Sequence, residues 1–299
     1  MSEKLKSPIV ILFLGAMTCS SSVIMIKGSK IDPVLLAGYR LFLAGIFLSP
    51  LYFRDLKKEK KKVKETLFAC WPGIILGIHF ITWVIACRIT YAANAALIVN
   101  MVPAVMPFML YFMIKEVINK REMLGSAFAV SGIVLLMVSD FKLNAEHFRG
   151  DVMCFVSMLT FAFYLVMSRK YRDSGSIWLY TVPLFTAGGI FCFLIAACKG
   201  VFPWHGLNGV EIAYILAIAI IPTVVGHSSL NFAMKKIRGQ IVGVLNLSQF
   251  IFAAFYGYLF FGEVPGQIFY ISVFLLVVGI CIIVTKKKEV VEEQVCPET

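Results

Sequence analysis

Apolar residues along this chain gather in ten runs of 17 to 25 positions, at 8–26, 33–53, 67–87, 91–114, 123–139, 150–168, 176–198, 210–234, 239–261 and 266–285. Short polar segments separate them. A helix needs about 20 residues to cross a hydrocarbon core of ~30 Å, which each run supplies to within a few residues. None alternates apolar and polar positions with the period of two that a barrel strand requires. Backbone amides in lipid must find partners within their own segment, so the pattern predicts an all-α integral membrane protein of ten transmembrane helices.

Charge orients these helices. Of 28 Lys and Arg residues, twenty-one lie in alternate polar segments, at 4–6, 54–64, 115–121, 169–172, 235–238 and 286–288. Six lie in the others: Lys27, Lys30, Arg88, Lys142, Arg149 and Lys199. Arg40 stands alone inside a run. The positive-inside rule places the first set, and with it both termini, in the cytoplasm; a miscounted helix would scramble the alternation.

Composition agrees: 60% of residues are hydrophobic and 15% charged, against about 25% charged in soluble domains. The net charge of +11 invites a nucleic-acid reading of the stretch RDLKKEKKKVKE at 54–65, but a cytoplasmic loop that fixes topology accounts for it, and no nucleic-acid partner is implied. The basic N-terminus ahead of an apolar run imitates a signal peptide, or a lipidation site at Cys19; the repeat described next favours a retained helix. The eight cysteines lack metal-site spacing and read as small packing residues, so neither metal nor cofactor is expected. HExxH, GxSxG and Walker A motifs are absent, and the loops are too short for a catalytic domain, which argues against an enzyme.

Residues 91–137 align without a gap on 238–284, an offset of 147 that pairs Phe108 with Phe255, Tyr111 with Tyr258, Glu116 with Glu263, Val130 with Val277 and Gly132 with Gly279. A second alignment, offset by 142, pairs Phe13, Thr18 and Met25 with Phe155, Thr160 and Met167, and Lys27 with Arg169. Each half therefore begins and ends alike. Five helices is an odd number, so the second half enters the membrane from the opposite side: residues 1–143 and 144–285 are expected to be inverted repeats, followed by a polar cytoplasmic tail at 286–299. Inverted repeats are characteristic of secondary transporters that alternate access around a midplane site.

The stretches ANAALIVNMVPAVMPFMLYFMIKEVINKREMLGSAFAVSGIVLLM, RGQIVGVLNLSQFIFAAFYGYLFFGEVPGQIFYISVFLLVVGICII and DPVLLAGYRLFLAGIFLSP resemble the EamA-type family of the drug/metabolite transporter superfamily, over residues 8–285. The resemblance implies ten helices in two inverted repeats, cytoplasmic termini, helices 1–4 and 6–9 around a central cavity, and helices 5 and 10 at the periphery. It also implies carriage of small metabolites such as amino acids, without ATP hydrolysis. Phe250 departs from the pattern, standing where the family often has the counterpart of Pro103.

Glu116 and Glu263 each follow one helix and precede the next, where a carboxylate meets the positive end of the following helix dipole; the alternative, proton coupling, needs greater depth. Gly132 and Gly279 read as close-packing positions. Substrate candidates are the polar side chains inside the runs, which are costly in lipid unless they face a cavity or a partner helix. Arg40, beside Tyr39, could clamp a carboxylate or phosphate, or else snorkel outward or pair with Asp32. His79 and His227 lie at nearly equivalent repeat positions and could bind substrate, carry a proton, or be satisfied structurally. Trp83 follows His79 by one turn. Asn100, Asn246 and Gln249 are near mid-run, the last two sharing a face; they contact ligand or bridge helices. Tyr164 completes the set, with Tyr256, Tyr258 and the hydroxyls of TCSSS at 18–22 as lesser candidates.

The expected function is a permease that exports or exchanges a small metabolite in a bacterial cytoplasmic membrane. The substrate class, amino acids or related compounds, comes from the resemblance; nucleotide-like or sulfonium metabolites such as S-adenosylmethionine are the alternative. No acidic residue lies deep in the membrane, which leaves histidine-mediated proton coupling or uncoupled exchange.

Overall fold

The computed structural model describes residues 3–90, 95, 98–140, 148–262 and 266–284. Glu263, the tail at 286–299 and the proposed boundary between halves at 143–144 lie outside the described residues, as does most of the start of the fourth run. Regular structure among the described residues is helical throughout. It comprises α1 (Glu3–Ser20), α2 (Ser22–Gly28), α3 (Pro33–Lys58), α4 (Cys70–Ile89), α5 (Val102–Ile114), α6 (Lys120–Asp140) and α7 (Phe148–Lys170). It continues with α8 (Ile177–Cys198), α9 (Gly209–Ile218), a π-helical segment (Ala219–His227), α10 (Ser228–Lys236), α11 (Gly239–Asn246), α12 (Gln249–Phe261) and α13 (Gln267–Val284).

Eight helices or helix pairs among the described residues are long and apolar enough to cross a membrane: Pro8–Gly28, Pro33–Lys58, Val63–Ile89, Phe148–Lys170, Ile177–Cys198, Gly209–Lys236, Gly239–Phe260 and Gln267–Val284. The fourth run contributes the shorter apolar helix Val102–Ile114, and the fifth forms the 21-residue α6. Ends follow hydrogen bonding rather than hydropathy. α3 continues five residues past the predicted end at 53, because the charged turn Arg54–Lys58 keeps its helical bonds outside the apolar region. Asp32 starts the same helix by accepting from the amides of Val34 and Leu35 at 2.8 and 3.2 Å, with Pro33 in the first turn.

Several interruptions were hidden in the runs. The α1–α2 break falls at Ser21, where Thr18, Ser20 and Ser21 donate to the carbonyls of Gly15, Met17 and Thr18. Hydroxyls spent on their own helix bend it, so TCSSS shapes the backbone. The second interruption is the π segment, which contains Pro222; the Thr223 hydroxyl donates to the carbonyl of Ile218, five residues back. The third is the turn at Leu247–Ser248. There the Ser248 amide donates to Leu245 and that of Ile251 to Ser248, both at 3.1 Å. The bonds Met101 to Ile98 and Ala104 to Met101, at 3.1 and 3.0 Å, repeat this arrangement 147 positions earlier. Both helices break at one register, although only the earlier has a proline there.

Packing follows a rule. α3 lies on α8, α5 on α11, and α6 on α13. α4 meets α7 as α1 meets the π segment and α10; α4 meets α8 as α3 meets the π segment; α5 meets α7 as α1 meets α11 and α12. Glycines permit the closest approaches. A Cβ on Gly132 would sit 2.7 Å from the Ser272 carbonyl, and one on Gly279 would sit 2.4 Å from that of Gly125. The packing reading of Gly132 and Gly279 holds. Side chains such as Phe255, Tyr258, Tyr270 and Phe274 cover the outer surface, as expected of faces turned to lipid.

Candidate functional site

The centre of the bundle holds a polar and aromatic cluster built from α3, α4, α7 and the π segment. Arg40 is only 1% exposed. Its Nε donates to the Thr223 hydroxyl at 3.1 Å, its guanidinium carbon lies 3.8 Å from the Phe80 ring centre, and its Nη1 is buried without a partner. Thr223 and His227 both belong to the π segment, and both reach this place from it. His227 meets Phe80 edge to face at 4.9 Å, and its Nδ1 is also buried and unpartnered.

His79 is held differently. Its Nδ1 lies 3.0 Å from the Ser157 carbonyl and 2.8 Å from the Ser157 hydroxyl, and its ring stacks on Phe161 at 4.7 Å. Phe161 also stacks on Tyr164 at 5.9 Å and meets His227 at 5.8 Å. The cluster thus joins Arg40, His79, His227 and Tyr164 through two phenylalanines.

From Tyr164 a polar chain leads toward the end of the bundle that carries most Lys and Arg residues, here the basic end. The Tyr164 hydroxyl donates to the Asn231 amide oxygen, to which Ser168 also donates at 2.8 Å. Ser168 also lies 3.1 Å from the Tyr180 hydroxyl. Beyond them a cleft opens, lined by Ser168, Tyr171, Ser176, Tyr180, Asn231 and Lys235.

The remaining sequence candidates lie elsewhere. The Tyr39 hydroxyl donates to the Pro203 carbonyl at the opposite end. Trp83 is buried in α4 one turn past His79, but the ring contacts of the cluster run through Phe80 and Phe161. Asn100 is buried at the turn before α5. Asn246 and Gln249 share a face as expected, yet the Gln249 amide donates to the Asn246 oxygen across the Leu247–Ser248 turn. This bond ties the two amides to each other. Replacing both with leucine is therefore expected to destabilise no more than either single change, each worth about 0.6 kcal/mol, in thermal unfolding of the three variants. Additive losses would contradict this. Tyr256 donates to the Met17 carbonyl at 3.2 Å, and Tyr258 is 59% exposed.

Arg40 neither snorkels nor pairs with Asp32, whose carboxylate caps α3. Glu116 departs from its expected role as well. Asn119 and Glu122 cap α6 reciprocally: the Asn119 side chain accepts from the Glu122 amide, and the Glu122 carboxylate from the Asn119 amide, each at 2.9 Å. Glu116 instead accepts from Arg169 at 2.9 Å and from the Gly239 amide at 3.2 Å, tying α7 and α11 to the end of α5. Arg238 binds the Glu122 carboxylate and the Val117 carbonyl beside it. At the opposite end, Arg88 donates to the carbonyls of Ile26, Ser29 and Ile31, and Glu211 accepts from the Ser29 hydroxyl and the Lys30 amide.

Comparison with known proteins fits this architecture. The model of the EamA-like transporter family matches residues 6–138 and 148–285. An uncharacterized transporter of Archaeoglobus fulgidus is 23% identical over 84% of this chain and 87% of its own. The uncharacterized transporter YcbK of Bacillus subtilis is 26% identical over 90% of this chain and 91% of its own. One solved crystal structure shares the fold with a TM-score of 0.75 at 17% identity, over 93% of this chain and 96% of that one. The chain is a multi-pass membrane protein and belongs to the EamA-like transporter family.

Proposed function

We propose that this protein is a secondary transporter that moves a small organic metabolite across a bacterial cytoplasmic membrane by alternating access. In this reading ten helices form two inverted five-helix repeats, residues 1–143 and 144–285, with both termini cytoplasmic and the basic end of the bundle facing the cytoplasm. The carrying observation is that the buried polar cluster sits where residues meet their own counterparts. Phe80 packs on His227, 147 positions later, and a Cβ on Gly189 would touch Phe42 at the same offset. Gly132 approaches Ser272 and Gly279 approaches Gly125, so each contact is the other with its halves exchanged. Such reciprocity is what a twofold axis in the membrane plane produces.

The polar chain from Tyr164 to the cleft runs from the cluster toward the basic end, while Arg88 and Glu211 tie down the far side. Rocking of the halves about the cluster exchanges these roles. Amino acids and related compounds are the substrate class, a choice resting on the family. His227, with its free Nδ1, is the group to carry a coupling proton. Non-enzymatic function accords with the transporter names of the relatives.

Purified protein in liposomes is expected to give saturable counterflow of a radiolabelled metabolite from a panel of amino acids, nucleotides and S-adenosylmethionine. Folded protein that exchanges none of them refutes the carrier reading for these classes. Dependence of uptake on an imposed proton gradient, lost in His227→Gln, tests the coupling.

A further inference from the structure

We infer that the cargo carries a single carboxylate, which is taken by Arg40 Nη1 and His227 Nδ1 over the ring of Phe80. This rests on the transporter reading and names the substrate class of its site. Arg40 is the starting point, because a buried guanidinium without a counter-charge is costly. It belongs to no salt bridge: the ion pairs among the described residues join Arg54, Lys61, Arg169, Arg172 and Arg238 to their acids. The carboxylates toward that end of the bundle are engaged elsewhere. Asp32 holds the first amides of α3, Glu211 holds Ser29 and Lys30, and Asp151 lies 2.6 Å from the Thr90 hydroxyl.

Two buried polar nitrogens beside Phe80 remain unpartnered. Arg40 Nη1 and His227 Nδ1 belong to groups that both lie within 5 Å of the Phe80 ring centre. Buried polar groups are rarely left so, and a pair that converges on one ring marks the place of a ligand. The chemistry selects an acceptor. A guanidinium donates from a fixed fork suited to carboxylate oxygens, and here its Nη1 and the imidazole N–H supply two donors.

Charge then limits the ligand. With His227 neutral in the loaded site, one guanidinium neutralises one negative charge, and the remaining walls are the rings of Phe80, Phe161 and Tyr164. A phosphate dianion would keep an uncompensated charge among them. The aromatic walls instead suit an apolar substituent on the carboxylate, through burial and ring contact.

The arrangement predicts a trade of stability for binding. Arg40→Met removes the unpaired charge and keeps an apolar side chain of similar length, so the empty variant is expected to melt at a higher temperature than the parent. Were Arg40 structural, held only by Thr223 and Phe80, the variant would melt lower.

The experiment combines melting with exchange. Neutral L-amino acids, the 2-oxo acids and the carboxamides of the same skeletons, and nucleoside monophosphates are tested as competitors of counterflow in the parent, Arg40→Lys, Arg40→Met and His227→Gln. In the parent the carboxylates compete and the carboxamides fail. Arg40→Met loses about 30-fold or more in apparent affinity, the size expected when one partner of a buried charge pair is cut away. Arg40→Lys, which keeps the charge but loses the fork, falls between. A lower melting temperature for Arg40→Met overturns the inference, as does equal competition by carboxamides or preference for the nucleotides. If folded parent protein exchanges nothing, the transporter reading fails, and the melting shift still judges the role of Arg40.

Discussion

Glu116→Leu is expected to destabilise the protein by about 3–5 kcal/mol, more than a double change of Glu116 and Arg169 to leucine and methionine. The Glu116 and Arg169 side chains are 13% and 9% exposed, with Nε and carboxylate 2.9 Å apart. Removing the acid alone leaves a desolvated cation whose remaining bond is to the Met234 carbonyl at 3.2 Å. It also weakens the hold on the Gly239 amide that starts α11. Removing both charges eliminates the desolvation cost along with the attraction, so part of the loss returns. Thermal unfolding in detergent of the two singles and the double decides; a double variant weaker than both singles would show the pair to be merely additive.

The second large effect is steric. Gly73→Leu is expected to prevent folding of the α4–α8 pair, because a Cβ at Gly73 would lie 2.2 Å from the Leu184 carbonyl, and one at Gly188 would lie 2.6 Å from that of Gly73. Both obstacles are backbone, which cannot swing aside as a side-chain tip does. Overpacking of this kind costs about 1–3 kcal/mol even where neighbours yield, and here the helices themselves must separate. Gly209→Ala is the control: a Cβ there meets nothing within 4 Å, and its effect is expected to stay within about 0.5 kcal/mol. Monodisperse, correctly folded Gly73→Leu protein in size-exclusion chromatography would refute the argument.

The helices were legible because lipid leaves few options: long apolar runs and alternating Lys and Arg constrain the chain before any side chain is placed. The reciprocal glycines were legible too, since the repeat marked Gly132 and Gly279 and membrane helices meet at small residues. Arg40 stood out for lack of an acid within its helix, but its surroundings come from α4 and the π segment, distant in sequence. Phe80 and Phe161 were invisible for a different reason: aromatic residues make up 14% of the chain, and nothing in the sequence separates two that bridge histidines from those that face lipid. Asn231 and Ser168 were readable as polar residues inside runs and were passed over. Glu116 was misassigned because the spacing from Asn119 to Glu122, which caps α6 without help, went unweighed. Its carboxylate was free to reach α11.

The π segment has an energetic consequence for the proposed cycle. A π turn is rare and confined to one stretch, and the counterpart of this segment lies in α4, which is regular α-helix from Cys70 to Ile89. Thr223, which receives Arg40, has Leu76 as its own counterpart. A carrier built from two identical halves would have inward-facing and outward-facing forms of equal free energy, each the image of the other. The π segment, unmatched in α4, removes that degeneracy at the place where the cation sits. In the proposed cycle the empty protein would rest on a preferred side, set by its own sequence before any gradient acts.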